Sequence, residues 1–131
     1  NMETSALVQK VIDVCESVST YIDTRLGYSE YCYQNLIKQL LQKEDIYCET
    51  EAPVYFSSKG INFGWGKIDL LIRGKTEVII IELKANVRNC IKAEFQLKRY
   101  MVHYDSTLKK VGLLFMYNSL ERCPVVKRVF R

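Results

Sequence analysis

The chain has 131 residues, 48% of them hydrophobic and 26% charged, with a formal net charge of +4. That length and balance exclude a disordered segment and point to one folded domain. The longest apolar runs, residues 78–81 and 111–117, fall far short of the ~20 residues that cross a bilayer as a helix, so no membrane partner is expected.

Leu7, Val11, Val14, Val18 and Tyr21 recur at steps of four, three, four and three, which predicts an amphipathic helix over residues 4–26. Gly27 stands where a left-handed residue ends such a helix. The first twenty residues keep this helical alternation and do not read as a secretory signal. A second helix is expected over residues 29–43, with Ser29 as N-cap and Tyr33, Leu36, Ile37, Leu40 and Leu41 as its apolar stripe. Glu30, in its first turn, has the ordinary task of complementing the helix dipole.

From residue 46 the pattern changes to strand. Residues 46–56 alternate in part, with Pro53 suited to an edge, and Ser57-Ser58-Lys59-Gly60 is a turn. Residues 61–63 form a short strand, Gly64-Trp65-Gly66 permits a bend or bulge, and residues 67–73 form the next strand. Gly74-Lys75-Thr76 then makes a hairpin into residues 78–84. Asn89 is placed to cap a third helix running to residue 104, with Ile91, Phe95 and Val102 on its buried side. Gln96 and Tyr100, four apart, share a face of that helix. Residues 111–117 are a further buried strand, and residues 125–130 a last one.

Two strands carry charges that do not belong in a core. Val78-Ile79-Ile80-Ile81 reads as strand buried on both faces, because branching at Cβ suits the pleat. Glu82 and Lys84 follow, two residues apart, and so emerge on one face. An ion pair where a strand runs out into solvent is the ordinary explanation for such a pair. Asp69, set among Ile68, Leu70, Leu71 and Ile72, is the second anomaly. A hairpin turning at Gly74-Lys75 brings Asp69 within one or two residues of the position opposite Glu82. Opposed residues have Cβ atoms about 5 Å apart, so the two carboxylates repel unless a divalent cation lies between them. Oxygen ligands of this kind suit Mg²⁺ or Mn²⁺. Lys84 beside the cation would orient or deprotonate an attacking water, or offset charge on a phosphate. The combination points to metal-assisted phosphodiester hydrolysis.

Charge and cysteine usage agree with that chemistry. Residues 1–73 hold 7 Lys and Arg against 10 Asp and Glu, a net of −3, whereas residues 74–131 hold 12 against 5, a net of +7. A basic half beside a carboxylate cluster suits an enzyme that grips phosphates and holds a metal. Cys15, Cys32, Cys48, Cys90 and Cys123 are irregularly spaced, and His103 is the sole histidine. They fit reduced thiols rather than a zinc site, and an intracellular location, cytoplasmic or nuclear.

Asp69 with Glu82-Leu83-Lys84 resembles the acid and E-x-K of the PD-(D/E)xK nuclease superfamily, with Ile68 in place of the usual proline. Gln96-Leu97-Lys98-Arg99-Tyr100 is similar to the Q-x-x-x-Y motif of RecB-like nucleases. Gly27-Tyr28-Ser29-Glu30-Tyr31-Cys32-Tyr33 resembles the signature of the small GxxExxY proteins, which also carry the Tyr33-Gln34-Asn35 and Gly112-Leu113-Leu114 segments. The resemblance implies an α/β, restriction-endonuclease-like core, a mixed central sheet flanked by helices. It also implies a single domain: a first helix over 4–26, a nuclease core over 27–117 and a terminal strand or tail over 118–131. The implied catalytic set is Glu30, Asp69, Glu82, Lys84, Gln96 and Tyr100. The implied metal ligands are Asp69, Glu82, the Leu83 main-chain carbonyl and, directly or through water, Glu30. Lys67, Lys92, Lys98 and Arg99 are the expected phosphate contacts.

The expected function is a Mg²⁺- or Mn²⁺-dependent nuclease acting on DNA, with RNA left open. A dimeric, junction-resolving endonuclease is a sub-case; the apolar residues of the first helix are open to two uses, such an interface or the core. The reading from a different class is a nucleic-acid-binding accessory module that keeps the fold without cutting.

Overall fold

The structure is a computed structural model and describes residues 4–88, 90–118 and 126–130, the last of these by backbone only. Helix α1, Ala6–Glu16, begins where Ser5 Oγ accepts the Val8 N–H at 3.1 Å. It stops ten residues short of the expected end, and the hydroxyls that follow explain why. Ser17 Oγ donates to the Val14 carbonyl and Thr20 Oγ1 to the Ser17 carbonyl, each at 2.6 Å. Such side chains compete for helix carbonyls and favour tighter turns. Two 3₁₀ turns, Ser17–Thr20 and Thr24–Leu26, complete the segment, and Gly27 closes it at φ +73°. Helix α2, Glu30–Lys43, is capped by Ser29 as expected.

Strands β1, Glu49–Ser58, and β2, Ile61–Arg73, form a long antiparallel arm. The bulge permitted at Gly64-Trp65-Gly66 falls immediately before it: pairing steps from Phe56–Gly64 to Ser57–Asn62, which leaves Phe63 as the extra residue on an otherwise continuous β2. The glycines also serve packing, since a Cβ at Gly66 would lie 2.6 Å from the Tyr100 ring. Strand β3, Glu77–Ala85, pairs antiparallel with β2 and parallel with β4, Lys109–Tyr117. Helix α3, Cys90–His103, makes the crossover that a parallel pair requires. Strand β5, Val126–Phe130, adds antiparallel to β4, so the mixed sheet has the order β1-β2-β3-β4-β5.

Both faces of the sheet are covered. Ile79 and Ile81 face α1 and α2, while Val78 and Ile80 face α3, as the run of β-branched residues requires. Val8, Val11, Ile12, Val14, Cys15 and Val18 all enter the core. Of the two uses open to them they take the core, and they are not a surface for a second copy. The third helix also corrects an expectation. Ile91, Phe95 and Val102 are 63%, 60% and 54% exposed, and Ala93, Leu97, Tyr100 and Met101 face the sheet instead. At 100° per residue, Ile91 and Phe95 lie 200° round from Ala93. Small Ala93 and the glycine-thinned β2 let this face approach the sheet. The expected cap, Asn89, lies outside the described residues.

Candidate active site

The β2–β3 ladder pairs Arg73 with Val78, Ile72 with Ile79, Leu71 with Ile80 and Leu70 with Ile81. One further step in that register sets Asp69 against Glu82, and there side chains replace ladder partners. The Leu83 N–H donates to Asp69 Oδ2 at 2.8 Å, and the Asp69 N–H to Glu82 Oε1 at 3.4 Å. The two strands open here into a fork.

The backbone of β2 is distorted at the same point. Ile68 packs toward α3, Leu70 and Ile72 toward α1 and α2, and Leu71 toward α3 again. Strict alternation would place Ile68 and Leu70 on one face, so the pattern breaks between Ile68 and Asp69. The pairing of β1 with β2 passes from Thr50–Leu70 to Ala52–Ile68, and Glu51 between them has φ +51°. Gln34, buried on α2, donates from Nε2 to the Asp69 carbonyl at 2.8 Å and holds this irregular backbone in place.

The electrostatics follow from burial. Glu82 is only 1% exposed. Burial, then the Asp69 charge, pushes its carboxyl well above the usual carboxylate range. Asp69 is also raised by burial, with Glu30 adding to the rise and the Leu83 N–H and Lys84 opposing it. A buried and a half-buried carboxylate with one lysine beside them are short of positive charge.

Helix α2 delivers a third acid. Glu30 Oε2 accepts the Ala85 N–H at 3.2 Å, which ties the first turn of α2 to the residue after Lys84. Asn86 secures the same corner at φ +60°. Its N–H donates to the Tyr117 carbonyl and its Nδ2 to the Tyr28 carbonyl, both at 3.0 Å, and Asn118 Nδ2 donates to its Oδ1 at 2.6 Å. Beside this corner lies a cleft of about 640 Å³ lined by Lys84, Asn86, Arg88, Lys92, Gln96 and Arg99, among others. Gln96 Nε2 donates to the Tyr100 hydroxyl at 3.0 Å, and the Tyr100 ring packs over Gly66.

Glu30, Asp69, Glu82, Lys84 and Gln96 thus surround the fork and its cleft, with Tyr100 buried behind Gln96. Of the four expected phosphate contacts, Lys92 and Arg99 line the cleft. Lys98 instead pairs with Glu94 at 3.3 Å, and Lys67 lies on the β1–β2 arm with its Nζ 5.8 Å from the Trp65 ring centroid. Gln34 and Asn86 are structural members of the site whose roles the sequence did not disclose. The Tyr33-Gln34-Asn35 segment was the available signal for the first, and an Asn directly after the strand, suited to φ above zero, for the second.

The donor set fits a hard divalent ion: two opposed carboxylates, a main-chain carbonyl at Leu83 and a nearby third acid. Among the described residues no three Asp, Glu, His or Cys side chains are already gathered as a metal cluster. Glu30, Asp69 and Glu82 each direct a carboxylate oxygen to a backbone N–H instead. No curated protein and no solved structure matches the chain. A sequence model of the PD-(D/E)XK nuclease superfamily matches residues 5–129, nearly the whole length. With its acid and E-x-K meeting at the fork of a mixed sheet, the chain belongs to the PD-(D/E)XK nuclease superfamily.

Proposed function

We propose that this protein is a metal-dependent nuclease that hydrolyses phosphodiester bonds in DNA. The observation that carries the reading is the Asp69–Glu82 pair, the first half-buried and the second buried, facing each other across the fork with Lys84 opening onto a cationic cleft. Asp69, Glu82 and the Leu83 carbonyl would hold Mg²⁺ or Mn²⁺, with Glu30 joining directly or through water, and the ion supplies Lewis-acid activation of phosphate and water. Lys84 orients the attacking water and offsets charge gathering on the phosphate. Gln96, fixed by the Tyr100 hydroxyl, helps to place the water or the lysine. Lys92 and Arg99 hold flanking phosphates, and Arg88 extends the same cationic lining.

The test is cleavage of circular single-stranded and supercoiled DNA with Mg²⁺ or Mn²⁺, since circles have no ends and report endonuclease action. Wild type is expected to cut, EDTA to stop it, and Lys84→Ala to lower the rate by about 10²–10³ while DNA binding persists. Equal cutting by wild type and Lys84→Ala would sink the assignment. The accessory-module reading draws on the backbone N–H groups that already occupy the three acids. Binding without cleavage of circles, linear DNA or RNA in either metal would favour it. A dimeric, junction-resolving form of the same nuclease would have to pair through a surface other than α1.

A further inference from the structure

The β1–β2 arm carries chemistry that the fork does not use. Residues 53–67 include four aromatics, Tyr55, Phe56, Phe63 and Trp65, and two lysines, Lys59 and Lys67, with no Asp or Glu. The absence of acids is local to the arm, because residues 1–73 together hold more acids than bases. The aromatics divide between two faces. Phe56 packs toward α3, its ring centroid 6.1 Å from Tyr100 and 5.0 Å from His103. Gly66 and Ile68 face the same way, toward Tyr100 and the α3 cluster. Trp65 and Lys67 alternate with them and so leave the opposite face. Tyr55 is the register partner of Trp65, so the two side chains leave that face together, 62% and 58% exposed.

An exposed aromatic pair on a cationic arm without carboxylates complements a polyanion that presents flat π faces. A duplex keeps its bases inside the stack, whereas a single strand offers them. Lys67 Nζ lies over the Trp65 ring, 5.8 Å from its centroid, and brings a positive charge to the platform for the phosphate that follows a stacked base. Trp65 stands four residues before Asp69 on β2, about 13 Å along a strand. We propose that Tyr55, Trp65 and Lys67 form a stacking platform for unpaired nucleotides, so that the substrate is DNA with a single-stranded segment. The proposal rests on the nuclease reading of the fork.

Trp65 is the sole tryptophan of the chain, so its fluorescence reports the platform directly. The experiment titrates wild-type protein in EDTA with a short oligothymidylate, and with a fully paired hairpin duplex of equal charge. Oligothymidylate is expected to quench Trp65 and the duplex to leave it nearly unchanged. Anisotropy of labelled oligothymidylate is expected to show roughly tenfold weaker binding for Trp65→Ala and for Tyr55→Ala. Trp65→Phe keeps an aromatic face and is expected to retain most of the affinity. Equal quenching by both probes, or by neither, overturns the platform. So does a dimer in solution that Trp65→Ala returns to monomer, which would assign the patch to a second copy. Cleavage in Mg²⁺ without Trp65 quenching removes the platform and leaves the nuclease reading standing. Quenching without cleavage in any metal does the reverse.

Discussion

Gly66→Ala places a methyl group where the Tyr100 ring already lies. A Cβ built there falls 2.6 Å from Tyr100 Cε1, 2.7 Å from its hydroxyl oxygen and 2.9 Å from Cζ. Comfortable carbon contacts lie at about 3.5–4.0 Å, so ring and strand must separate by roughly 1 Å. Tyr100 has little freedom to yield: it is buried, its ring is stacked near Phe56 and its hydroxyl is bonded to Gln96. The Gly66 backbone is not in the left-handed region, so alanine on its own would gain ~0.4–1 kcal/mol through the unfolded state. Overpacking reverses that sign and costs ~1–3 kcal/mol. Urea unfolding of wild type, Gly66→Ala, Tyr100→Ala and the double variant measures both effects. In the Tyr100→Ala background the same substitution is expected to be neutral or stabilising, with a coupling of about 1–3 kcal/mol. The same loss in both backgrounds would refute the packing argument. Because Tyr100 holds Gln96, the single variant is also expected to lose cleavage rate more than DNA affinity.

Glu82 gives a pH prediction whose sign follows from its environment. Burial and the Asp69 charge raise its folded pKa, so its contribution to stability is complete below the ordinary glutamate range and is lost as pH rises through the raised value. In EDTA, Glu82→Gln is therefore expected to melt higher than wild type at mildly alkaline pH and to show a flatter dependence on pH. Parallel melting profiles for the two proteins would show that Glu82 does not carry this strain. Gln34→Leu removes the side-chain donor to the Asp69 carbonyl, and a stranded buried carbonyl costs ~1–3 kcal/mol. Denaturant midpoints should fall by that amount and cleavage should fall with them, since Asp69 loses its anchor. An unchanged midpoint with full cleavage would mean that β2 holds its shape without the glutamine.

The features legible in the sequence were those set by short-range geometry. Ser29 caps α2 because its side chain meets an N–H three residues on, and Gly27 takes φ +73° where a turn closes. Glu82 and Lys84 share a face by strand alternation alone, and counting residues around Gly74-Lys75 brought Asp69 to within one or two positions of Glu82. The PD-(D/E)XK assignment rests on this same local spacing, and the family match over residues 5–129 agrees with it.

What the tertiary structure decided depends on contacts between residues far apart in the chain. Gln34 reaches Asp69 across 35 residues, and Glu30 reaches Ala85 across 55. Local motifs marked both residues, Glu30 through residues 27–33 and Gln34 through Tyr33-Gln34-Asn35, but not the partners they reach. Hydrophobicity pointed to Ile91, Phe95 and Val102 as the buried side of α3, yet burial went to the face that fits Gly66 and the rest of β2. Side-chain polarity could propose a face for each helix, but the shape of the opposing strand chose it, because close packing rewards complementarity over hydrophobicity alone.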